Sequence, residues 1–93
     1  MIKVNYIDYS TELHHGILFG SVEFGNGWGA TVRAGPRFPY EGVDIKRYPF
    51  RYDFDVAMIA LGINSVVEWS DDLSHDEADE FLRYIDNKQE CEL

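Results

Sequence analysis

Asp and Glu together supply 17 of the 93 residues, and several of them fall in adjacent pairs: Asp71-Asp72, Asp76-Glu77 and Asp79-Glu80. Paired carboxylates perform general acid–base chemistry when one is desolvated enough to keep its proton while the other ionises. These runs supply no such asymmetry, because they fall on the polar face of a helix and its approach, where all are expected to be solvated. Asp76 and Glu77 also have a structural reason to be there, since acids in a first turn complement the helix dipole. Other reactive groups are no better placed. His14-His15 are adjacent, so on an extended chain they point to opposite sides and do not chelate one ion, and no Cys or His lies at finger-like spacing. His75 reads as a solvated residue at the first helical position. Cys91 is close to the C-terminus, where order is usually poor, and no Gly-x-Ser-x-Gly elbow exists. The run Gly25-Asn26-Gly27-Trp28-Gly29 lacks the lysine and the following helix of a phosphate loop, and reads as a hairpin turn. No catalytic residue, no metal site and no cofactor is expected; a small enzyme ranks third among the readings, alongside a nucleic-acid-binding module.

The same carboxylates have a second use, as a binding surface. The net charge is −9, and it is unevenly spread. Residues 1–60 carry six Lys/Arg against seven Asp/Glu, whereas residues 61–93 carry two against ten. A field of that sign repels nucleic acid and anionic membrane at this end and attracts a basic partner. Asp72, Asp76, Asp79, Glu80 and Asp86 can line one ridge beside the helix's apolar stripe. Carboxylates three to four residues apart on a helix stand about 5–6 Å apart, a crude imitation of a phosphate row. The expected partner-binding residues are therefore Asp71, Asp72, Asp76, Asp79, Glu80 and Asp86, facing a basic surface of a nucleic-acid-binding protein. The opposing signal is the segment 33–51, in which Arg33, Arg37, Lys46, Arg47 and Arg51 are interleaved with Phe38, Tyr40, Tyr48 and Phe50. Basic plus aromatic residues suit single-stranded nucleic acid, but the overall charge opposes it, and pairing of these arginines with the acidic helix is the simpler expectation.

Elements must position these groups. The length allows one domain, 1–93, and an apolar share of 45% gives it a core without metals or bridges. A lone thiol cannot frame a disulfide fold. No apolar run approaches the ~18 residues of a membrane span, and Met1 to Tyr6 lacks a signal peptide's apolar region, so the expected location is cytoplasmic. Ile2 to Tyr9 alternates loosely and reads as a strand; Ser10-Thr11-Glu12 reads as a turn. Ile17 to Ala34 reads as a hairpin around Gly25-Asn26-Gly27. A two-residue loop would put the apolar residues of the two strands on opposite faces. A three-residue loop pairs Phe24 with Trp28, Val22 with Ala30, Gly20 with Val32 and Leu18 with Ala34, leaving Glu23, Ser21, Thr31 and Arg33 on the other face. Gly35 to Val43 reads as a surface loop. Tyr48, Phe50, Tyr52 and Phe54 alternate with Pro49, Arg51 and Asp53 and read as an edge strand with an aromatic face. Asp55 to Leu61 reads as a central strand in preference to a short buried helix, turning at Gly62-Ile63-Asn64 into a strand from Ser65 to Trp69. Ser74 and Glu77 form a capping box, and Ala78, Phe81, Leu82 and Ile85 make one apolar stripe ending near Asn87. The fold class is α+β: an antiparallel sheet of about five strands with one C-terminal amphipathic helix packed on one face.

Three stretches taken together carry a family likeness: Gly27-Trp28-Gly29-Ala30-Thr31-Val32, then Asp55-Val56-Ala57-Met58-Ile59, then Leu73-Ser74-His75-Asp76-Glu77 leading to Leu82. Their order, over residues 26–86, resembles that of small uncharacterised accessory proteins of tailed bacteriophages. The resemblance implies no catalytic residues, a strand for Asp55 to Leu61, and a phage setting, in a host cytoplasm, where small acidic proteins antagonise nucleases, restriction systems or CRISPR effectors. The leading expectation is thus a non-enzymatic, acidic, nucleic-acid-mimicking inhibitor of a nucleic-acid-processing or defence protein. The alternative is a structural or assembly protein, a homodimer joined through the aromatic strand 48–54.

Overall fold

The computed structural model describes residues 2–10, 16–37 and 44–93. Among them five strands form one antiparallel sheet in chain order: β1 (Tyr9–Ser10), β2 (Leu18–Glu23), β3 (Trp28–Pro36), β4 (Tyr52–Ala60) and β5 (Ser65–Leu73), followed by helix α1 (His75–Asp86). The β2–β3 hairpin has the three-residue loop. Phe24 N–H donates to the Trp28 carbonyl at 2.9 Å, and Leu18, Gly20 and Val22 face Ala34, Val32 and Ala30. Gly27 sits at φ +79°, the left-handed turn position that glycine adopts at least cost. One side of the hairpin therefore goes inward: Phe24, Trp28, Ala30, Val32 and Ala34 are buried, while Glu23 and Arg33 stay exposed.

β4 settles the ambiguous apolar run as a strand. It pairs with β3 from Trp28↔Ala60 to Pro36↔Tyr52, and its even-numbered residues Tyr52, Phe54, Val56, Met58 and Ala60 are buried. Full burial of side chains such as Phe54 and Met58 stabilises by about 1.5–3 kcal/mol each. Two expectations are corrected. Tyr48 to Phe54 is not an edge strand: Pro49–Arg51 forms a 3-10 turn, and Tyr52 and Phe54 belong to β4, which has β3 on one side and β5 on the other. Proline's fixed φ suits the start of such a turn as well as it suits an edge. The Arg51 guanidinium lies 5.0 Å from the Tyr48 ring centroid and Arg47 5.4 Å, so this segment folds on itself. Ile2 to Tyr9 is not a strand either. Val4–Tyr6 is a 3-10 turn and only Tyr9–Ser10 pairs with β2. Val4 and Ile7, three apart, enter the core, which a turn allows and a flat strand does not. The loop expected over Gly35 to Val43 begins later, because Gly35 and Pro36 end β3; residues 38–43, like 11–15, lie outside the described residues.

The capping box of α1 is formed in both directions. Ser74 Oγ accepts from Glu77 N–H at 3.2 Å, and Ser74 N–H donates to Glu77 Oε1 at 3.0 Å. Ala78, Leu82 and Ile85 are buried against the sheet, with Phe81 partly so, and the helix stops at Asn87. Its end is clasped by the hairpin loop. Asn26 Nδ2 donates to the carbonyls of Ile85, Asp86 and Lys88 at 2.9, 3.3 and 3.2 Å. Trp28 Nε1 donates to the Gln89 carbonyl at 3.1 Å, and Cys91 N–H donates back to the Asn26 carbonyl at 2.8 Å. Cys91 is thus a half-buried part of this clasp, not an end where order is lost; an added Cβ at Gly27 would stand 3.2 Å from the Cys91 Cβ. Among the described residues no helix is long and apolar enough to cross a membrane.

Replacing Asn26 with Ala removes the side-chain donor to the Asp86 and Lys88 carbonyls and leaves the Ile85 carbonyl only its backbone donor from Lys88; it should destabilise by about 1–3 kcal/mol, read as a lower urea midpoint. Asn26→Asp should cost at least as much, since it adds a negative charge at the helix's negative end. Ser74→Ala should cost about 1 kcal/mol. An Asn26→Asp midpoint equal to wild type would contradict the clasp.

Candidate binding surface

The five carboxylates expected on one ridge, Asp72, Asp76, Asp79, Glu80 and Asp86, do not form one: Asp72 belongs to β5 and Asp79 turns away toward Val4. Asp76 and Glu80 point outward from α1 and are exposed, but Arg83 follows on the same side of the helix and interrupts the row with a cation. Asp79 turns toward the N-terminal segment. It is half-buried, and its Oδ1 accepts from Val4 N–H at 2.7 Å. Tyr9 Oη donates to the Val4 carbonyl at 2.6 Å; burial, and secondarily the Asp79 charge, push the Tyr9 hydroxyl well above its usual pKa. Asp79 therefore anchors the Val4–Tyr6 turn to the helix, and the expectation that every helix carboxylate is solvated fails here. Asp86 ends the helix with its side chain exposed. Asp71 and Asp72 belong to β5. Asp72 has φ 55° and its N–H donates to Asp55 Oδ1 at 3.0 Å, whereas Asp71 borders a hollow of about 270 Å³ on the helix-free face with Arg33, Asp55 and Trp69.

The geometry brings together a different set. α1 packs chiefly over β3 and β4, so the helix side of β5 lies open as a groove of about 410 Å³. Trp69, Leu73, Phe81 and Tyr84 supply its apolar surface, and Glu68, Glu77 and Glu80 its carboxylates. Register places these groups. Glu68 and Ser70 face Met58 and Val56, whose side chains point to the core, while Trp69 faces Ala57 on the other side. The pairing slips between Met58 and Ile59 and again between Phe54 and Val56, giving bulges that bend β5 and re-aim its side chains. Trp69 is 66% exposed and lines both the groove and the hollow on the opposite face. The rings of Phe81 and Tyr84 lie 6.0 Å apart at 49°. Of these residues only Glu80 was expected from sequence as part of a site. Trp69 and Glu68 carried one signal, a polar-aromatic alternation in a strand, but the exposure of that strand depends on where the helix lies.

The charged side chains lining the groove, Glu68, Glu77 and Glu80, are all carboxylates. The Ser74 backbone and hydroxyl hydrogen bonds hold Glu77 below its usual pKa, the opposite of what a proton-holding acid needs. The Lys88 ammonium lies 4.8 Å from the Tyr84 ring centroid and 5.4 Å from that of Trp28, and it donates to Tyr84 Oη at 3.2 Å. Among the described residues, no group of three His, Cys, Asp or Glu side chains is placed to hold a metal ion; His14 and His15 lie outside them. His75 Nε2 is 3.1 Å from Asp76 Oδ1. In the basic-aromatic segment, Arg37 pairs with Asp53 of β4 at 3.2 Å, not with the helix.

Asp79→Ala should lower stability by about 1.5–3 kcal/mol, as expected for loss of a charged hydrogen bond, while Asp76→Ala and Glu80→Ala should each stay within about 0.5 kcal/mol; urea midpoints separate the two classes. Because folding lowers the Glu77 pKa, its contribution is present above the ordinary glutamate range and disappears as pH falls through the folded value. Glu77→Gln does not titrate. The stability gap between wild type and Glu77→Gln should therefore shrink between pH 7 and pH of about 3, and a gap that widens on acidification would contradict the capping assignment. Comparison of the chain with family models, with curated proteins and with solved structures finds no match.

Proposed function

We propose that this chain is a non-enzymatic binding protein that engages a basic protein surface, of the kind a nucleic-acid-binding protein offers. The observation that carries the reading is the charge of the surface around β5 and the first half of α1. Residues 61–82 contain seven Asp/Glu and no Lys or Arg, and Glu68, Asp71, Asp72, Asp76, Glu77 and Glu80 are all exposed. Such a surface steers a cationic partner, and the neighbouring Trp69, Phe81 and Tyr84 add aromatic area of the kind that anchors interfaces. Asp79 is withdrawn from the binding set by its bond to Val4. The acids form a patch around a groove, so mimicry of a phosphate row is a weaker part of the reading than occupation of Lys and Arg side chains. Blocking a nucleic-acid-processing enzyme is the functional consequence such occupation would have; the phage and anti-defence setting is carried by sequence resemblance alone.

The test is capture of basic proteins from a cell lysate at low salt, with stepwise salt elution, by wild type and by the double variant Glu68→Lys/Glu80→Lys. Both side chains are exposed, so the variant should keep its melting temperature. Wild type should retain partners that leave as salt rises, and the variant should retain none of them. Equal retention with the same salt dependence would remove the proposal.

A further inference from the structure

We infer that the partner contributes an extended basic segment that adds as a further strand to the free edge of β5, with Lys or Arg side chains entering the groove against α1. This rests on the proposed binding to a basic surface and specifies its mode. β5 is nine residues long and lies at the margin of the sheet, with no described strand beyond it. The opposite margin is the two-residue β1. A long, bare edge offers unpaired N–H and C=O groups, and proteins normally cover or blunt it. Here its apolar residues also stand in solvent, Val66 at 50% and Trp69 at 66% exposure. Bulges at Val67 and at Asp71–Asp72, where Asp72 has φ 55°, divide the margin and leave Ser65–Val66 and Glu68–Ser70 as its regular stretches, so the added strand pairs along Ser65–Ser70.

Charge decides the occupant. Pairing β5 with a second copy of itself would put two sets of Glu68, Asp71 and Asp72 into one strand pair, with no Lys or Arg in residues 61–82 to answer them, and like charges brought opposite one another are destabilising. A basic strand reverses that sign. Strands in a sheet lie about 4.8 Å apart, so the helix-side residues of an added strand stand beside Glu68 and Ser70, within reach of Glu77 and Glu80 across the groove. A lysine or arginine there meets carboxylates at its head and the Tyr84 and Phe81 rings along its stem; within the chain Lys88 makes a different contact with Tyr84, its ammonium lying over the ring and donating to the hydroxyl. Main-chain bonds would supply affinity and the groove selectivity.

The probe is a ten-residue peptide of alternating lysine and threonine, beside the same peptide with every amide N-methylated. The two have equal charge, but the second cannot donate along a strand edge. The unmodified peptide should bind at low salt, with backbone chemical-shift changes and cross-strand nuclear Overhauser contacts at Ser65–Ser70, and should bind about tenfold or more tightly than the methylated one. Glu68→Lys/Glu80→Lys should abolish binding. Equal binding of the two peptides, or shifts elsewhere than β5, overturns strand addition and leaves the acidic-surface reading standing. Failure of both peptides to bind at low salt overturns both. A dimer in sedimentation whose contacts map to β5 assigns the edge to a second copy and overturns the basic-strand proposal.

Discussion

The loop Gly25-Asn26-Gly27 is the constraint on which most of the arrangement depends. Its length sets the β2–β3 register, and that register decides which face of the sheet is apolar. Its asparagine then reaches out of the hairpin to the carbonyls at the end of α1. Backbone N–H groups of Asn87 and Lys88 close the last turn on Arg83 and Ile85, and the Asn26 side chain ties that closed end to the hairpin, fixing where the C-terminus of α1 lies. With the capping box at the other end, α1 is held over β3 and β4. The openness of the groove follows from that placement: a helix centred one strand further along would cover Glu68 and Ser70 and close it.

Charge and shape coincide at the uncovered strand. Part of the carboxylate excess in the last third of the chain borders an aromatic groove and an open strand edge: Glu68, Glu77 and Glu80 line the groove, and Asp71 and Asp72 belong to β5. Each feature alone has an ordinary explanation: acids aid solubility, and an edge strand is a normal end to a sheet. Their overlap gives the surface direction. In the proposed mode of binding, the acids disfavour pairing of β5 with its own kind and favour a basic chain, so the charge that would protect the edge from self-association would also select what covers it.

What could be read from sequence was local. The hairpin register followed from period-two alternation around Asn-Gly, and the helix from a capping box followed by a stripe at Ala78, Phe81, Leu82 and Ile85; both depend on residues a few positions apart. Misreadings arose where a local pattern fits two geometries. Pro49 suits a 3-10 turn and an edge strand equally, and only the pairing of Tyr52 and Phe54 with β3 and β5 distinguishes them. Asp79 looked like its neighbours because its partner, the Val4 amide, lies 75 residues away. Trp69 and Glu68 became site residues only through the placement of α1, which no window of sequence around them contains.

β5 is a free edge in the isolated protein, a state that native-state amide hydrogen exchange reads amide by amide. The β5 amides that do not bond to β4 should exchange nearly as fast as unstructured amides, while those of β3 and β4 remain protected. Protection of those β5 amides equal to that of β3, in a protein that sediments as a monomer, would mean that the edge is already covered within the chain.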